Sequence, residues 1–149
     1  MKYDEIINKL FEESSTSILH SKKLSKEIEQ VVETIIQTYK NGNKVIIFGN
    51  GGSAADSQHF AAELVGRYQL ERIGLPAIAL TTDTSIITAL GNDYGFEKIF
   101  SRQCESLVDK NDIVIGISTS GKSVNVINGI VTSKKNGAIT VGITGDTGG

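Results

Sequence analysis

Val45-Ile46-Ile47-Phe48-Gly49-Asn50-Gly51-Gly52-Ser53 is the stretch that decides the fold. Its first four residues form a short, continuous apolar run dominated by β-branched side chains. A strand with water on one face alternates apolar and polar residues. An unbroken run suits a strand buried on both faces, as in a parallel sheet. The next five residues are glycine-rich and end on serine, a residue suited to N-capping a helix. Helical spacing then runs from about Ser53 to Val65.

Working outward, Ala77-Ile78-Ala79-Leu80, Ile113-Val114-Ile115-Gly116-Ile117 and Ile139-Thr140-Val141-Gly142-Ile143 repeat the doubly buried strand character. Helical stretches separate them, at about Ser85 to Leu90, Phe96 to Leu107 and Val124 to Lys135. This alternation implies βαβ units with right-handed crossovers. The expected architecture is α/β, an open doubly wound parallel sheet in a flavodoxin-like three-layer arrangement. Ligands in such folds bind beyond the carboxyl ends of the strands, where the strand order reverses. Upstream, Ile6, Ile7, Leu10, Phe11, Ile18 and Leu19 recur at helical spacing. So do Leu24, Ile28, Val31, Val32, Ile35, Ile36 and Tyr39, until Asn41-Gly42-Asn43 stops the second helix. Residues 1–149 therefore read as one domain, with residues 1–42 an N-terminal helical pair.

The 149 residues are 39% hydrophobic and 21% charged, with a formal net charge of -2. That balance excludes the basic footprint of a nucleic-acid binder and leaves any anionic ligand to local features. One cysteine, Cys104, precludes an internal disulfide and fits a reducing compartment. No apolar run resembles a signal peptide or a membrane span, so a cytoplasmic location without membrane contact is expected.

Two loops suit a phosphate. Gly49-Asn50-Gly51-Gly52-Ser53 opens a helix, and glycines let backbone N–H groups approach an anion. The same residues also suit a plain tight turn. Ser118-Thr119-Ser120-Gly121-Lys122-Ser123 follows the third strand, with four hydroxyls around one glycine at another helix start. Ser120 or Ser123 could equally be a simple cap. With Gly116 and Ile117 this loop also matches the nucleotide pattern G-x-x-x-x-G-K-S, whose only trailing aspartate, Asp146, is poorly placed for magnesium.

His59, Glu63 and Arg67 recur at i, i+4 and i+8, which puts them on one helix face. His and Glu one turn apart suit a shared metal ion. A solvated stripe with a Glu63–Arg67 ion pair fits the spacing as well. Gly91-Asn92-Asp93-Tyr94-Gly95-Phe96 offers Asn92 and Asp93 to sugar hydroxyls, or is a glycine-bounded turn with Asp93 as a cap. Cys104 and His20 carry no partner pattern and read as a small buried group and a helix-end residue.

The run from Phe48 through His59-Phe60-Ala61-Ala62-Glu63-Leu64-Val65-Gly66-Arg67-Tyr68 resembles the signature of phosphoheptose isomerases of the sugar isomerase (SIS) domain class. So do Ala89-Leu90-Gly91-Asn92-Asp93-Tyr94-Gly95-Phe96 and Gly116 to Ser123. The resemblance covers the chain from about Lys44 onward, and the two N-terminal helices fit it. It implies a cytoplasmic homotetramer that converts D-sedoheptulose 7-phosphate to D-glycero-D-manno-heptose 7-phosphate for bacterial surface heptose, with one Zn2+ per subunit. It implies substrate contacts at Asn50, Gly51, Gly52, Ser53, Glu63, Arg67, Asn92 and Asp93. Ser118, Thr119, Ser120 and Ser123 are expected to hold the phosphate, and His59 and Glu63 to ligate metal and take part in catalysis. Two further ligands, a glutamine and a histidine, belong to a C-terminal helix that the family carries beyond the position of Gly149. This sequence is therefore expected to be part of a longer protein. The same resemblance leaves two alternatives: a non-catalytic relative that binds the bacterial replication initiator, and an isomerase for another sugar phosphate.

Overall fold

The computed structural model of the chain describes residues 2–145 and 148. The chain divides into two compact units, Met1–Thr34 and Ile35–Gly149. The first contains α1 (Tyr3–His20), a 3-10 turn (Ser21–Leu24) and the start of α2 (Ser25–Lys40). Leu24, expected in the second helix, lies in that turn. Asp4 and Glu5 sit in the first turn of α1, where the helix dipole favours acidic side chains. No residue of α1 is buried; Leu10, Phe11, Ile18 and Leu19 all face solvent.

The second unit holds the sheet. Its elements are β1 (Val45–Gly49), α3 (Gly52–Val65), β2 (Ala77–Ala79), α4 (Thr84–Tyr94), a 3-10 turn (Phe96–Lys98), α5 (Ile99–Leu107), β3 (Ile113–Ser118), α6 (Val124–Lys135) and β4 (Ile139–Thr144). The strand order is β2-β1-β3-β4 and every pairing is parallel. The expected open, doubly wound sheet is therefore present, and its order reverses between β1 and β3. β1 is central: Val45 pairs with Ala77 on one side and with Ile113 on the other.

The continuous apolar run of β1 has the meaning its composition implied. Ile46 and Phe48 point to one face, where they meet Leu80, Ile99, Phe100, Cys104, Val114 and Val126. Val45 and Ile47 point to the other, against Ala61, Ala79, Ile113 and Ile115, with Ile35 and Tyr39 packed alongside. All four β1 side chains are fully buried. Phe48 and Phe100 stack with ring centroids 4.8 Å apart. The result is three layers, with α3 on one face of the sheet and α5 and α6 on the other.

Three expectations need correction. Ile139–Ile143 is not buried on both faces here: among the described residues β4 has a neighbouring strand, β3, on one side, and Ile139 and Ile143 are each 45% exposed. The short helix expected at about Ser85 to Leu90 is α4, which runs through Gly91 to Tyr94 because Ile87 and Leu90 pack on the core. The single helix expected from Phe96 to Leu107 is split, its first turn being 3-10.

At the amino ends of the strands, away from the candidate ligand loops, Lys44 and Asp112 tie β1 to β3. Asp112 is 1% exposed and accepts from Lys44 Nζ at 2.7 Å, from the backbone N–H of Lys44 at 3.1 Å and from that of Asp109 at 2.8 Å. Lys44 Nζ also donates to Asp109 at 2.7 Å.

Candidate functional site

The loops after β1 and β3 lie side by side at the carboxyl end of the sheet, because Gly49 pairs with Ile117 at the end of the β1–β3 ladder. This is the point where the strand order reverses. A Cβ on Gly49 would lie 2.7 Å from the Ile117 carbonyl oxygen and 2.7 Å from Ser53 Cβ, so only glycine lets the two segments approach this closely.

Gly51, with φ 55°, caps the start of α3, and its carbonyl accepts from Ala54 and Ala55 at 3.0 and 3.2 Å. Ser53, expected as the cap, is instead inside the first turn: the glycine pair allows the helix to begin two residues earlier than a Ser53 cap implies. Gly51 and Gly52 are exposed, and Asn50 and Ser53 are half-buried. The first turn therefore presents its unbonded N–H groups and partial positive charge to solvent beside the loop.

In the second loop, Ser118 Oγ donates to Ser123 Oγ at 3.0 Å, and Ser120 Oγ accepts from the Lys122 N–H at 3.2 Å. Ser123 is the N-cap residue of α6, and Gly121 turns the chain with φ 66°. Thr119 and Ser120 are exposed, and the Thr119 carbonyl accepts from Gly145 N at 3.0 Å. Asp146, the aspartate weighed for a nucleotide site, lies outside the described residues.

The two loops are joined by a pair that sequence reasoning missed. Asn50 Nδ2 donates to Asn125 Oδ1 at 2.9 Å, and Asn125 Nδ2 donates back to Asn50 Oδ1 at 2.8 Å. Asn125 is 4% exposed, and its Oδ1 also accepts from Val126 N. Nothing in the motif around Asn125 signals this role, which depends on contact with a residue 75 positions away.

Further along α3, His59 Nε2 lies 3.3 Å from Glu63 Oε1. The pair opens onto a surface depression lined also by Asp56, Phe60, Leu64, Tyr68 and Arg72. His59 is seven residues from Gly52, about 10 Å along the helix axis. The first loop and the His59–Glu63 pair are thus successive features of one helix. Among the described residues no three His, Cys, Asp or Glu side chains are arranged so that they could hold a metal ion together.

Arg67 does not share the face of His59 and Glu63. The helix ends at Val65, Gly66 is its C-cap, and Arg67 pairs with Glu71 at 3.2 Å. The arginine that engages this part of α3 is Arg72. Asn92 and Asp93 lie in the last turn of α4, exposed, with Asn92 Nδ2 donating to Asp93 Oδ1 at 2.8 Å. Neither is a turn residue or a cap: Asp83 caps the start of α4 by accepting from Ile86 N, and Gly95, with φ 89°, ends it. Among the described residues no hydrogen bond links them to the loops or to His59 and Glu63. Cys104 is fully buried, and burial pushes its thiol up to about 11.

Comparison with known proteins agrees with this geometry. The SIS domain family matches residues 10–145. The phosphoheptose isomerase of Aliarcobacter butzleri is 54% identical over 139 residues, covering 89% of this chain and 74% of that protein. The phosphoheptose isomerase of Aquifex aeolicus is 56% identical over 146 residues, covering 97% and 76%. A solved structure of a phosphoheptose isomerase from Francisella tularensis superposes with a TM-score of 0.96 at 36% identity, over 100% of this chain and 78% of that one. A match of this extent places the two joined loops and the α3 pair within a known scaffold, and the chain belongs to the phosphoheptose isomerase family of SIS-domain proteins.

Proposed function

We propose that this chain acts as an aldose–ketose isomerase, converting D-sedoheptulose 7-phosphate to D-glycero-D-manno-heptose 7-phosphate. The observation that carries this reading is the layout of α3. Its amino end adjoins two loops suited to a phosphate monoester, and its carboxyl half carries His59 and Glu63, about 10 and 16 Å along the axis from Gly52. A phosphate held at one end would direct the reacting carbons toward the other.

In this reading Ser118, Thr119, Ser120 and Ser123 hold the phosphate, with backbone N–H groups of Gly51, Gly52 and Ser53 beside them. The phosphate supplies binding energy remote from the reacting carbons, which orients them. Asn50, Arg67, Asn92 and Asp93 are the further substrate contacts of this reading. Glu63 takes a proton from C1 of the ketose while the C2 carbonyl oxygen gains one, which gives a 1,2-enediol. Return of a proton to C2 and loss of the C1 hydroxyl proton leave the aldehyde. Every bond made is matched by one broken, and no oxidant is required.

His59 Nε2 and Glu63 Oε1 are donor types that suit zinc, and their 3.3 Å separation allows both to face one ion. They would be two of its ligands. When bound, such an ion polarises carbonyl and hydroxyl oxygens. A carboxylate engaged by a cation is a weakened base, so Glu63 shares the proton transfers with another group. Assembly as a homotetramer in the cytoplasm belongs to the same reading. It is supported by the exposed apolar residues of α1, and no described helix is long and apolar enough to cross a membrane.

The test is an isomerase assay on the purified protein with and without chelator, alongside Glu63→Gln. Chelator-sensitive turnover that Glu63→Gln abolishes, at an unchanged thermal transition, is the expected result. Near-native turnover in Glu63→Gln would remove the assignment of Glu63. Faster turnover of a shorter or amino sugar phosphate would reassign the substrate.

A further inference from the structure

The carboxyl end of α3 is held by a side chain that no motif singled out. An α-helix leaves its last carbonyls without partners inside the helix. Many helices satisfy them with a left-handed glycine just past the end. Gly66 does not do this: its φ is -83° and ψ is -117°. Instead the Arg72 guanidinium reaches back from the following loop. Its Nη2 donates to the Glu63 carbonyl at 2.7 Å, and its Nη1 donates to Leu64 at 2.8 Å and Gly66 at 3.2 Å. Nη1 also donates to Ile73 at 2.9 Å, which fixes the loop that carries the arginine.

We infer that Arg72 is a positioning residue for Glu63. The inference rests on the isomerase reading of Glu63 and deepens it. Glu63 lies in the last turn of α3, where helices fray. The shortest of the four Arg72 contacts is to Glu63's own carbonyl, so the arginine fixes the backbone from which the carboxylate projects toward His59. A planar fork with several N–H donors serves convergent carbonyls, which a lysine ammonium cannot match in geometry. Its positive charge also complements the negative end of the helix dipole. Errors of about 1 Å in the placement of a reacting group cost on the order of 100-fold in rate. A loosened last turn is therefore read directly in turnover, while the phosphate loops at the other end of the helix are untouched.

The experiment compares wild type, Arg72→Ala and Arg72→Lys by steady-state kinetics and by hydrogen–deuterium exchange over residues 60–66. In Arg72→Ala, kcat is expected to fall roughly 10- to 100-fold with KM nearly constant. Exchange over residues 60–66 should accelerate while that of β1 and β3 does not. Added guanidinium, well below denaturing concentration, should restore part of kcat in Arg72→Ala, and urea at the same concentration should not. Unchanged kcat in a folded variant overturns the inference. So does a fall in kcat with no change in exchange and no rescue. If Arg72→Ala does not fold, Arg72→Lys decides: an intermediate kcat with faster exchange supports the role, and wild-type values for both overturn it. If wild type itself lacks isomerase activity, the functional reading fails separately. Exchange over residues 60–66 in Arg72→Lys then still decides whether Arg72 holds the helix end.

Discussion

Asn50 and Asn125 form a reciprocal amide pair, each donating to the other at 2.9 and 2.8 Å, across the point where the strand order reverses. Each residue belongs to a different candidate ligand segment: Asn50 follows β1 and Asn125 opens α6. The pair fixes the separation of the two loops and occupies the Asn50 side chain. A substrate contact at Asn50 is thus more naturally made by its backbone or its remaining amide hydrogen.

Asn125→Leu keeps the approximate volume but leaves the Asn50 amide without its partner. A half-buried polar group stripped of its bond costs about 1–3 kcal/mol, a few degrees in Tm. Catalytic efficiency should fall by about 10-fold, since the loops lose their fixed spacing. Asn125→Asp retains an acceptor but places a carboxylate beside the loops, so KM for a phosphorylated sugar should rise most at low salt. Wild-type kinetics in both variants would mean that the pair is only structural.

Ser120 makes one bond within its own loop, to Lys122 N, and is exposed. Ser120→Ala should therefore change stability by no more than about 0.5 kcal/mol. It should weaken use of the phosphorylated heptulose, read as a higher KM. The control is the unphosphorylated sugar: equal use of both by the wild-type protein would remove the phosphate assignment of this loop.

The parts of this molecule legible in sequence were those set by local pattern. The run Val45–Phe48 announced a doubly buried strand, because burial on both faces leaves no polar alternation to read. The two loops were legible because glycine and hydroxyl residues cluster where strands give way to helices. The misreadings came from context that a local pattern lacks. Ile139–Ile143 resembles β1 in composition, but among the described residues it pairs with β3 alone, which leaves Ile139 and Ile143 part-exposed. Gly91 looked like punctuation, yet Ile87 and Leu90 hold α4 past it and Gly95 provides the stop. Arg67 was placed on the His59–Glu63 face by extending the helical period past Gly66, where the helix has ended. Arg72 and Asn125 were invisible because their partners are set by how the chain folds back, not by spacing.

Cys104 is fully buried against the α5–α6 side of the core, and burial pushes its thiol up to about 11. The thiolate is the reactive form, so little is present at neutral pH. As the only cysteine in the sequence it gives a clean readout. A thiol reagent should label the folded protein only as fast as this region opens, and rapidly once the chain is unfolded in denaturant. Rapid stoichiometric labelling of the native protein would show that α5 opens readily.

Lys44 and Asp112 link the stability of the fold to pH at both ends of the scale. For Asp112, burial alone would raise the carboxyl. The hydrogen bonds from Lys44 Nζ and from the backbone of Asp109 and Lys44 outweigh it and hold the group below the usual carboxylate range. A carboxyl depressed on folding contributes stability that is present above its unfolded value, about 3.9, and is lost as pH falls through the lower folded value. For Lys44, burial lowers the ammonium, but hydrogen bonds to Asp109 and Asp112 and the charges of both carboxylates raise it overall. Its contribution is present below about 10.4 and is lost as pH rises through the higher folded value. Asp112→Asn removes the buried partner of Lys44 and turns an amide N–H toward the Asp109 or Lys44 N–H. Lys44 keeps Asp109 and some access to water, so the loss is that of buried hydrogen bonds, about 1–3 kcal/mol. The denaturation midpoint of Asp112→Asn should therefore be lower at pH 7, and its loss of stability below pH 4 shallower than in wild type. Parallel acid limbs in the two proteins would show that other carboxylates govern acid unfolding.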